Sequence, residues 1–432
     1  MALLVSSQIQ QQRGISAFSN TGEDSFQDLV SALLQEYLAL WWSSEHTFPQ
    51  YAVNYSAKQQ KNNDAELNRL IGGLLHELKH MPTSLAAREQ WQVQLQSGFI
   101  GFAEKALYLD PAHMTFIEQC GMLPALQQFV KMARAFDPTI SAEDIYQAGR
   151  NVMTANFIQL LLGLPVEVTP SIFAYSMLYP YTDNYLDDSG ISSETKLAFN
   201  RRFRERLQGK SVLLNNPYEI IIDRLIGQIE MQWDRVRFPQ VYQSLLAIHA
   251  AQSHSLQLVD AGASPFELDI LGISFEKGGT SVLADGYLVA GDLSVAQARV
   301  LFGFGAFTQL VDDLEDLYGD QKEARQSVFS VTAPHWPLDR VTNQFIHFGK
   351  TILSNLSVFP AACVPLLYDL TSRCIDPVLI DIIARAGKVY SKAYLQQSQQ
   401  HLPFSFDAIN RQRKRFTRQS INLETLFDTF LV

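Results

Sequence analysis

Long stretches of the chain carry apolar residues at the spacing of an amphipathic helix, and this pattern restricts the fold more than any other feature. An α-helix has 3.6 residues per turn, so apolar side chains at i, i+3, i+4 and i+7 form one stripe that must be buried. Alternating segments rich in β-branched residues, which are typical of strands, are nearly absent. The pattern therefore predicts an all-α fold. The stretches are 24–42, 64–80, 141–163 and 295–320.

Capping residues and prolines predict where the helices begin and end. Ser141 is followed three residues later by Asp144, as in a capping box, and Ser294 precedes the last long apolar stretch. Proline lacks the N–H group that a helix interior requires, so prolines are expected at helix boundaries. The expected breakers are Pro111, Pro138, Pro165, Pro170, Pro180, Pro239, Pro265, Pro334 and Pro337.

The domain organisation is less sharply indicated. The helical pattern is interrupted between residues 81 and 112, and no internal repeat is visible. We expect an N-terminal helical extension over residues 1–110 and a main α domain over residues 111–432 that contains two aspartate-rich motifs. The extension could equally form the first helices of one domain.

The composition limits the classes of partner. The 432 residues are 47% hydrophobic and carry a formal net charge of −10, which disfavours a nucleic-acid partner and suits a protein that recruits cations. The three cysteines are widely separated, so they form neither a disulfide framework nor a CxxC knuckle. The chain shows no signal-peptide pattern and no run of eighteen apolar residues. We therefore expect a cytoplasmic protein without an integral membrane segment.

Two acidic clusters each follow an apolar and aromatic stretch. The first is TDNYLDDSG (182–190), preceded by SIFAYSMLYPY, and the second is QLVDDLEDLYGD (309–320), preceded by LFGFGAF. Like charges four apart on a helix repel, and a buried unpaired carboxylate is costly. Neither cluster is interleaved with Lys or Arg. The negative charge therefore requires compensation from elsewhere.

The spacing of the aspartates places them on common helix faces and indicates a metal site. In the first cluster they stand at i and i+4 with a third beside them, and in the second at i, i+4 and i+8. Mg²⁺ prefers carboxylate oxygens and keeps free positions for substrate phosphates. A solvated helix end is the usual interpretation of one charge run, but two such clusters favour a divided magnesium site. The predicted ligands are Asp183, Asp187, Asp188, Asp312, Asp313, Asp316 and Asp320.

Together the two motifs resemble the metal-binding motifs of the class I isoprenoid synthases, the family of all-α terpene cyclases and prenyl-diphosphate synthases. DNYLD is similar to the DDxxD motif, with Asn184 in its second place, and DDLED is a full DDxxD. Asp312, Asp316 and Asp320 also occupy the ligand positions of the NDxxSxxxE triad of the cyclases. The resemblance covers roughly residues 140–400 and implies a single large helical bundle.

The resemblance implies a terpene synthase that ionises a linear prenyl diphosphate, cyclises the carbocation and releases diphosphate. Three Mg²⁺ ions, for which Mn²⁺ could substitute, would neutralise the leaving group, with Asp183 and Asp312 as the main catalytic residues. Aromatic rings at helical spacing before the motifs could stabilise the cation, although core packing is the simpler interpretation of any single ring. These aromatic residues are Tyr175, Tyr179, Phe304 and Phe307.

A diphosphate also requires basic residues. Lys277 precedes two glycines, which would let the backbone approach a phosphate, and its place upstream of the second motif resembles the lysine of prenyl-diphosphate synthases. Arg150 is a lone charge in an apolar stretch upstream of the first motif. Lys322 and Arg325 follow the second motif and could close over it, although both could be ordinary surface charges.

One departure from the family separates a cyclase from a chain-elongating enzyme. Elongating synthases carry an arginine pair four residues after DDxxD, whereas Ser192 and Ser193 stand here, and RRFRERL (201–207) has the pattern of a solvated helix face. This favours a one-substrate cyclase. A prenyltransferase that condenses prenyl diphosphates, including head to head, remains the alternative, as does a non-catalytic member of the family. A homodimer is left open.

A rival function comes from another motif. His76 and His80 in HELKH match HExxH, in which two histidines bind Zn²⁺ and the glutamate acts as general base. The motif is short and lacks an obvious third ligand. A zinc hydrolase is therefore the distant alternative, and two histidines on an amphipathic helix are the simpler interpretation.

Overall fold

The computed structural model describes residues 23–79, 82, 85–188, 190–259, 264 and 267–418. Over these residues the chain forms helices and no strand, which confirms the all-α class. Short 3₁₀ helices span Leu256–Val259, Asn355–Val358 and Gly387–Val389. The α-helices are α1 (Glu23–Ser43), α2 (Ala57–Lys79), α3 (Leu85–Leu107), α4 (Pro111–Gln119), α5 (Met122–Phe136), α6 (Ala142–Leu162), α7 (Pro170–Asp187), α8 (Ser193–Leu207), α9 (Pro217–Gln232), α10 (Pro239–Ser255), α11 (Ile270–Ala290), α12 (Val295–Glu315), α13 (Leu317–Glu323), α14 (Val328–Thr332), α15 (Asp339–Ser354), α16 (Val364–Arg385), α17 (Lys392–Gln399) and α18 (Phe406–Arg418).

Helix α11 is the central element of the bundle. It packs most closely against α12 and also contacts α1, α6, α7 and α10. Its residues are apolar on nearly all sides, as expected for a helix surrounded by others. The two helices that carry the acidic clusters, α7 and α12, therefore share this helix as a neighbour.

Glycines let α11 and α12 approach until their backbones touch. A Cβ added to Gly278 would collide with the carbonyl oxygen of Gly305, and one added to Gly305 would collide with that of Gly278. No larger residue fits at either position without moving a helix. This crossing lies directly beside Lys277.

Helix α1 belongs to the same hydrophobic core as the main bundle. The Tyr37 hydroxyl donates a hydrogen bond to the carbonyl oxygen of Arg299 (2.8 Å), and the Tyr37 ring lies over Gly303. Trp41 is fully buried and packs edge-on against Phe275 and Phe348. The first part of the N-terminal extension is therefore an integral part of the bundle.

Helices α2 and α3 pair with each other, and α18 lies along α2. Asp64 of α2 accepts hydrogen bonds from the backbone N–H and the hydroxyl of Ser405, just before α18. Arg413 of α18 forms an ion pair with Asp381 of α16. The chain after α17 thus ties α2 to the rest of the molecule.

The predicted helix starts are confirmed at Ser141 and Ser294. The Ser141 hydroxyl accepts a hydrogen bond from the Asp144 N–H, and Ser294 forms a capping box with Gln297. These caps satisfy backbone donors that the first turn of a helix would otherwise leave unpaired.

The prediction of a break at Pro180 is wrong, because this proline lies inside α7. The apolar packing of α7 holds the helix together despite the missing N–H donor. The predicted breaker Pro265 lies outside the described residues.

The interpretation of RRFRERL as a solvated face is wrong for two of its arginines. Arg202 forms an ion pair with Glu219, and Arg206 with Asp223 and Glu230, all on α9. Their side chains are 18% and 15% exposed, so these residues join α8 to α9.

Candidate functional site

The two acidic clusters lie at the same end of the bundle, beside the N-terminal half of α6. The Asn184 side chain donates a hydrogen bond to Asp144 Oδ1 (2.9 Å), and the Arg150 guanidinium donates to Asp312 Oδ1 (2.6 Å). Six residues of helix rise about 9 Å, so the two anchoring points on α6 are roughly that far apart along its axis. Two motifs that are distant in sequence are therefore both anchored to the N-terminal half of α6.

The second cluster continues across the junction at which α12 ends at Glu315 and α13 begins at Leu317. The N–H of Asp316 donates to the carbonyl oxygen of Asp312, and the N–H of Asp320 to that of Asp316, both at 2.9 Å. These i to i−4 bonds are of the α-helical type, although the backbone of Asp316 itself departs from helical geometry (φ −87°, ψ 4°). The three aspartates therefore follow one another at successive turns, with Asp316 exposed and Asp320 buried.

Carboxylates in this cluster raise one another's pKa. Burial raises the pKa of Asp316, and the charges of Asp312 and Glu315 raise it further. Burial raises the pKa of Asp320 to about 6, with Asp316 adding to the effect and Arg325 opposing it. The cluster is therefore short of positive charge, which a divalent cation would supply.

Asp313 is held differently from its neighbour Asp312. Its two carboxylate oxygens accept hydrogen bonds from Ser274 of α11 (3.1 Å) and Gln309 of α12 (2.9 Å). Burial raises its pKa to about 7, and the nearby charge of Lys277 lowers it in part. Asp313 therefore links α11 to α12 through its hydrogen bonds. It is also near enough to Lys277, the predicted diphosphate-binding residue, for the two charges to interact.

Three arginines, of which Arg150 and Arg385 are remote in sequence, supply part of the missing positive charge. Arg150 contacts Asp312, Arg385 of α16 contacts Glu315 (2.7 Å), and Arg325 lies 3.8 Å from Asp320. The sequence offered no signal for Arg385, because it is separated from the motif by three helices. Lys322 is exposed on α13.

The described part of the first cluster is more exposed. Asp183 is partly buried, and its charge helps to raise the pKa of Tyr179, after burial and the charge of Asp285. Asp188 Oδ1 accepts a hydrogen bond from the N–H of Gly190 (2.7 Å), so this carboxylate caps the turn after α7. The side chain of Asp187 lies outside the described residues.

Two tyrosines connect this cluster to α11. The Tyr179 hydroxyl is 2.6 Å from Ser281 Oγ, and the Tyr175 hydroxyl donates to the Ser281 carbonyl oxygen (3.3 Å). Ser281 is one turn after Lys277. A small cavity of about 30 Å³, enough for only a few water molecules, lies between α7, α8 and α10. Both tyrosines, Thr182 and His249 line it.

A buried polar group that the sequence analysis missed lies deeper in the bundle. Asn151 of α6 donates hydrogen bonds to Ser176 of α7 and to Asp285 of α11, both at 3.0 Å. Asp285 is 1% exposed, and its Oδ2 has no hydrogen-bond partner among the described residues. Burial raises its pKa well above the usual range. A lone acid within the apolar stretch VLADGYLVA was the available signal.

The two predicted phenylalanines differ in position. Phe304 is partly exposed and stacks on Phe157 of α6, with 5.5 Å between the ring centroids. Phe307 is fully buried, stacks on Phe345 of α15 and covers Gly349. Phe304 is thus on the α6 side with the acidic cluster, and Phe307 is on the α15 side.

The HExxH motif is only partly described. His76 is exposed on α2, and Glu77 accepts a hydrogen bond from Trp91 Nε1 of α3 (2.9 Å). His80 lies outside the described residues. The glutamate that would act as general base is therefore engaged in joining α2 to α3.

The donor chemistry of the second cluster fits Mg²⁺. Asp312, Asp316 and Asp320 offer only oxygen donors, which this ion prefers, and their mutual repulsion would be relieved by a dication. Within the described part of the chain, no three His, Cys, Asp or Glu side chains are already gathered as ligands of one ion.

Comparison of the chain with protein-family models gave no match, and no curated protein matched it. None of the described helices is both long enough and apolar enough to cross a membrane.

Proposed function

We propose that the chain is a class I terpene synthase that converts a linear prenyl diphosphate into a cyclic product and diphosphate. The observation that carries the proposal is the second cluster. Asp312, Asp316 and Asp320 follow one another at successive turns, and Arg150 ties Asp312 to the helix that also anchors Asn184 of the first cluster. An end of the bundle with this much negative charge suits a metal-bound diphosphate.

The residues can be assigned roles. Asp183, Asp312, Asp316 and Asp320 would hold the metal, and when bound, magnesium would act as a Lewis acid towards the leaving diphosphate. Arg150 and Lys277 would bind phosphate oxygens through charge-assisted hydrogen bonds.

Tyr175 and Tyr179 would shape the hydrocarbon site. Burial raises the pKa of both hydroxyls, so the tyrosines stay neutral at physiological pH and present their rings and oxygen lone pairs without charge. Thr182, which precedes Asp183, lines the same small cavity, so a prenyl chain could bind there only if the surrounding side chains moved apart.

One observation favours a one-substrate cyclase over a chain-elongating enzyme. Ser192 is the N-cap of α8, and its hydroxyl accepts a hydrogen bond from the Thr195 N–H. The nearby Arg202 and Arg206 are held in ion pairs with α9. The position after the first motif thus begins a helix, and Ser192 and Ser193 stand there in place of the arginine pair of chain-elongating synthases.

The test is an incubation with geranyl, farnesyl, geranylgeranyl and geranylfarnesyl diphosphates, with and without Mg²⁺. We expect magnesium-dependent diphosphate release and a hydrocarbon or alcohol product by mass spectrometry. Products that appear only after isopentenyl diphosphate is added would support the prenyltransferase. Activity that survives magnesium chelation but is lost on zinc removal would overturn the proposal in favour of His76 and His80.

A further inference from the structure

The ion pair between Arg150 and Asp312 joins two helices that both pack on α11. The guanidinium Nη2 lies 2.6 Å from Asp312 Oδ1, and the side chains are 56% and 40% exposed.

This contact conflicts with the roles that both residues have in the proposed function. A carboxylate oxygen that accepts a short bond from a guanidinium is partly unavailable to a metal, and an arginine engaged with a carboxylate is unavailable to a phosphate. An exposed ion pair contributes little stability, so breaking it is inexpensive. The long arginine side chain can reorient without a change in the backbone of α6.

We infer that Arg150 is an exchangeable counter-ion of the metal site: it neutralises Asp312 until a divalent cation takes over, and it then transfers to the diphosphate. The inference rests on the proposed function. It adds a competition between Arg150 and the divalent cation for Asp312, which the function itself does not require. It gives Arg150 two alternative partners, Asp312 and the diphosphate, and thereby couples metal binding to diphosphate binding. The two ligands would each release one partner of the same ion pair.

The competition predicts opposite effects of one substitution. Arg150→Gln frees Asp312, so Mn²⁺ alone should bind roughly two- to fivefold more tightly, the range expected for loss of an exposed ion pair. The same variant lacks the phosphate donor, so inorganic pyrophosphate should bind roughly tenfold more weakly at saturating Mg²⁺. Mn²⁺ binding is measured by electron paramagnetic resonance and pyrophosphate binding by calorimetry.

Three further variants separate this inference from simpler explanations. Arg150→Lys keeps the positive charge and should bind Mn²⁺ nearly as the parent does. Lys131→Gln removes the same charge from an exposed site on α5, and it should leave Mn²⁺ affinity unchanged. Asp312→Asn removes the shared carboxylate and should weaken Mn²⁺ binding. Thermal unfolding of each variant establishes that it is folded.

The outcomes distinguish the inference from the function. If the parent protein binds Mn²⁺ and Arg150→Gln binds it no more tightly, the ion pair is only structural and the inference is wrong while the function stands. The same conclusion follows if Lys131→Gln tightens binding equally. If neither the parent nor Arg150→Gln binds Mn²⁺ above the level of Asp312→Asn, the metal site itself is absent and the proposed function falls with the inference.

Discussion

The two acidic clusters look alike in sequence but have different surroundings. At the end of α7, Asp188 accepts a backbone hydrogen bond and Asn184 brings no charge, so part of the motif is used in ending the helix. At the end of α12, Asp316 and Asp320 have raised pKa values, and arginines from other helices approach the cluster. Burial and neighbouring carboxylates thus both disfavour the charged forms of Asp316 and Asp320, and a cation would relieve this cost.

Because of this difference, we expect the two motifs to contribute unequally to metal binding. Each unit by which a carboxylate pKa is raised corresponds to about 1.4 kcal/mol that burial and repulsion cost the ionised form. A bound dication would offset this cost, so the cluster with the raised pKa values should gain most from binding one. The α12 cluster should therefore determine the affinity for metal in the absence of substrate. The α7 cluster should contribute mainly when a diphosphate bridges the two.

The largest expected effect is the loss of catalysis on removing either leading aspartate. Asp312→Asn and Asp183→Asn should each reduce diphosphate release more than about 100-fold, because a metal ligand is lost, while the melting temperature stays within a few degrees. Only Asp312→Asn should strongly weaken Mn²⁺ binding without substrate. Equal weakening by both variants would contradict the unequal roles, and a large drop in melting temperature with full specific activity would show a structural role.

A pH-dependent effect on stability should distinguish Asp313 from Asp312. The folded protein holds the Asp313 proton up to about pH 7, the value to which burial raises the pKa of this group, whereas the unfolded chain releases it near pH 4. Ionisation of Asp313 therefore opposes folding increasingly as the pH rises from 4 to 7. Asp313→Asn should raise the free energy of unfolding by roughly 1–3 kcal/mol at pH 8 and far less at pH 5.

Urea unfolding at the two pH values measures the Asp313 effect. Asparagine can still accept from Gln309 and donate to Ser274, so the hydrogen bonds are retained in number. Ser274→Ala is the matched control, since it removes a hydrogen bond without removing a carboxylate. A stabilisation that is the same at both pH values would contradict the raised pKa.

A smaller effect would come from restoring the missing charge of the first motif. Asn184→Asp places a carboxylate against Asp144 and removes the hydrogen bond between them. We expect a loss of roughly 0.5–1 kcal/mol of stability without metal, and recovery in millimolar Mg²⁺. Thermal unfolding with and without Mg²⁺ checks this. A loss that Mg²⁺ leaves unchanged would separate position 184 from the metal.

The smallest effect should come from Asp188. Asp188→Asn keeps the oxygen that accepts from the Gly190 N–H, so activity should change less than about threefold if capping is its main task. Steady-state diphosphate release provides the measurement. A loss comparable to that of Asp183→Asn would instead identify Asp188 as a metal ligand.

The periodic stretches of the sequence predicted the helices well, because an apolar stripe has few alternatives to burial. The stretch 24–42 became α1 (Glu23–Ser43), and 141–163 became α6 (Ala142–Leu162). The placement of Asp312, Asp316 and Asp320 at successive turns also followed from spacing alone. These features depend on local geometry, which the sequence specifies directly.

Features that depend on packing between distant segments were not predictable from the sequence. No local pattern indicated that Arg385 would reach Glu315, or that Asn151 would meet Asp285. Pro180 suggested a helix end that does not exist, because the packing of α7 in the bundle outweighs the tendency of proline to break a helix. The assignment of the site to an isoprenoid synthase remains a prediction that rests on the resemblance.

The crossing of α11 and α12 at Gly278 and Gly305 limits how far the distance between these two helices can change. Because the two backbones already touch, the spacing between Lys277 and the acidic helix is fixed by main-chain thickness and cannot be adjusted by exchanging side chains at the contact. If the proposed prenyl diphosphate is the substrate, adaptation to another chain length would have to come from residues outside this crossing.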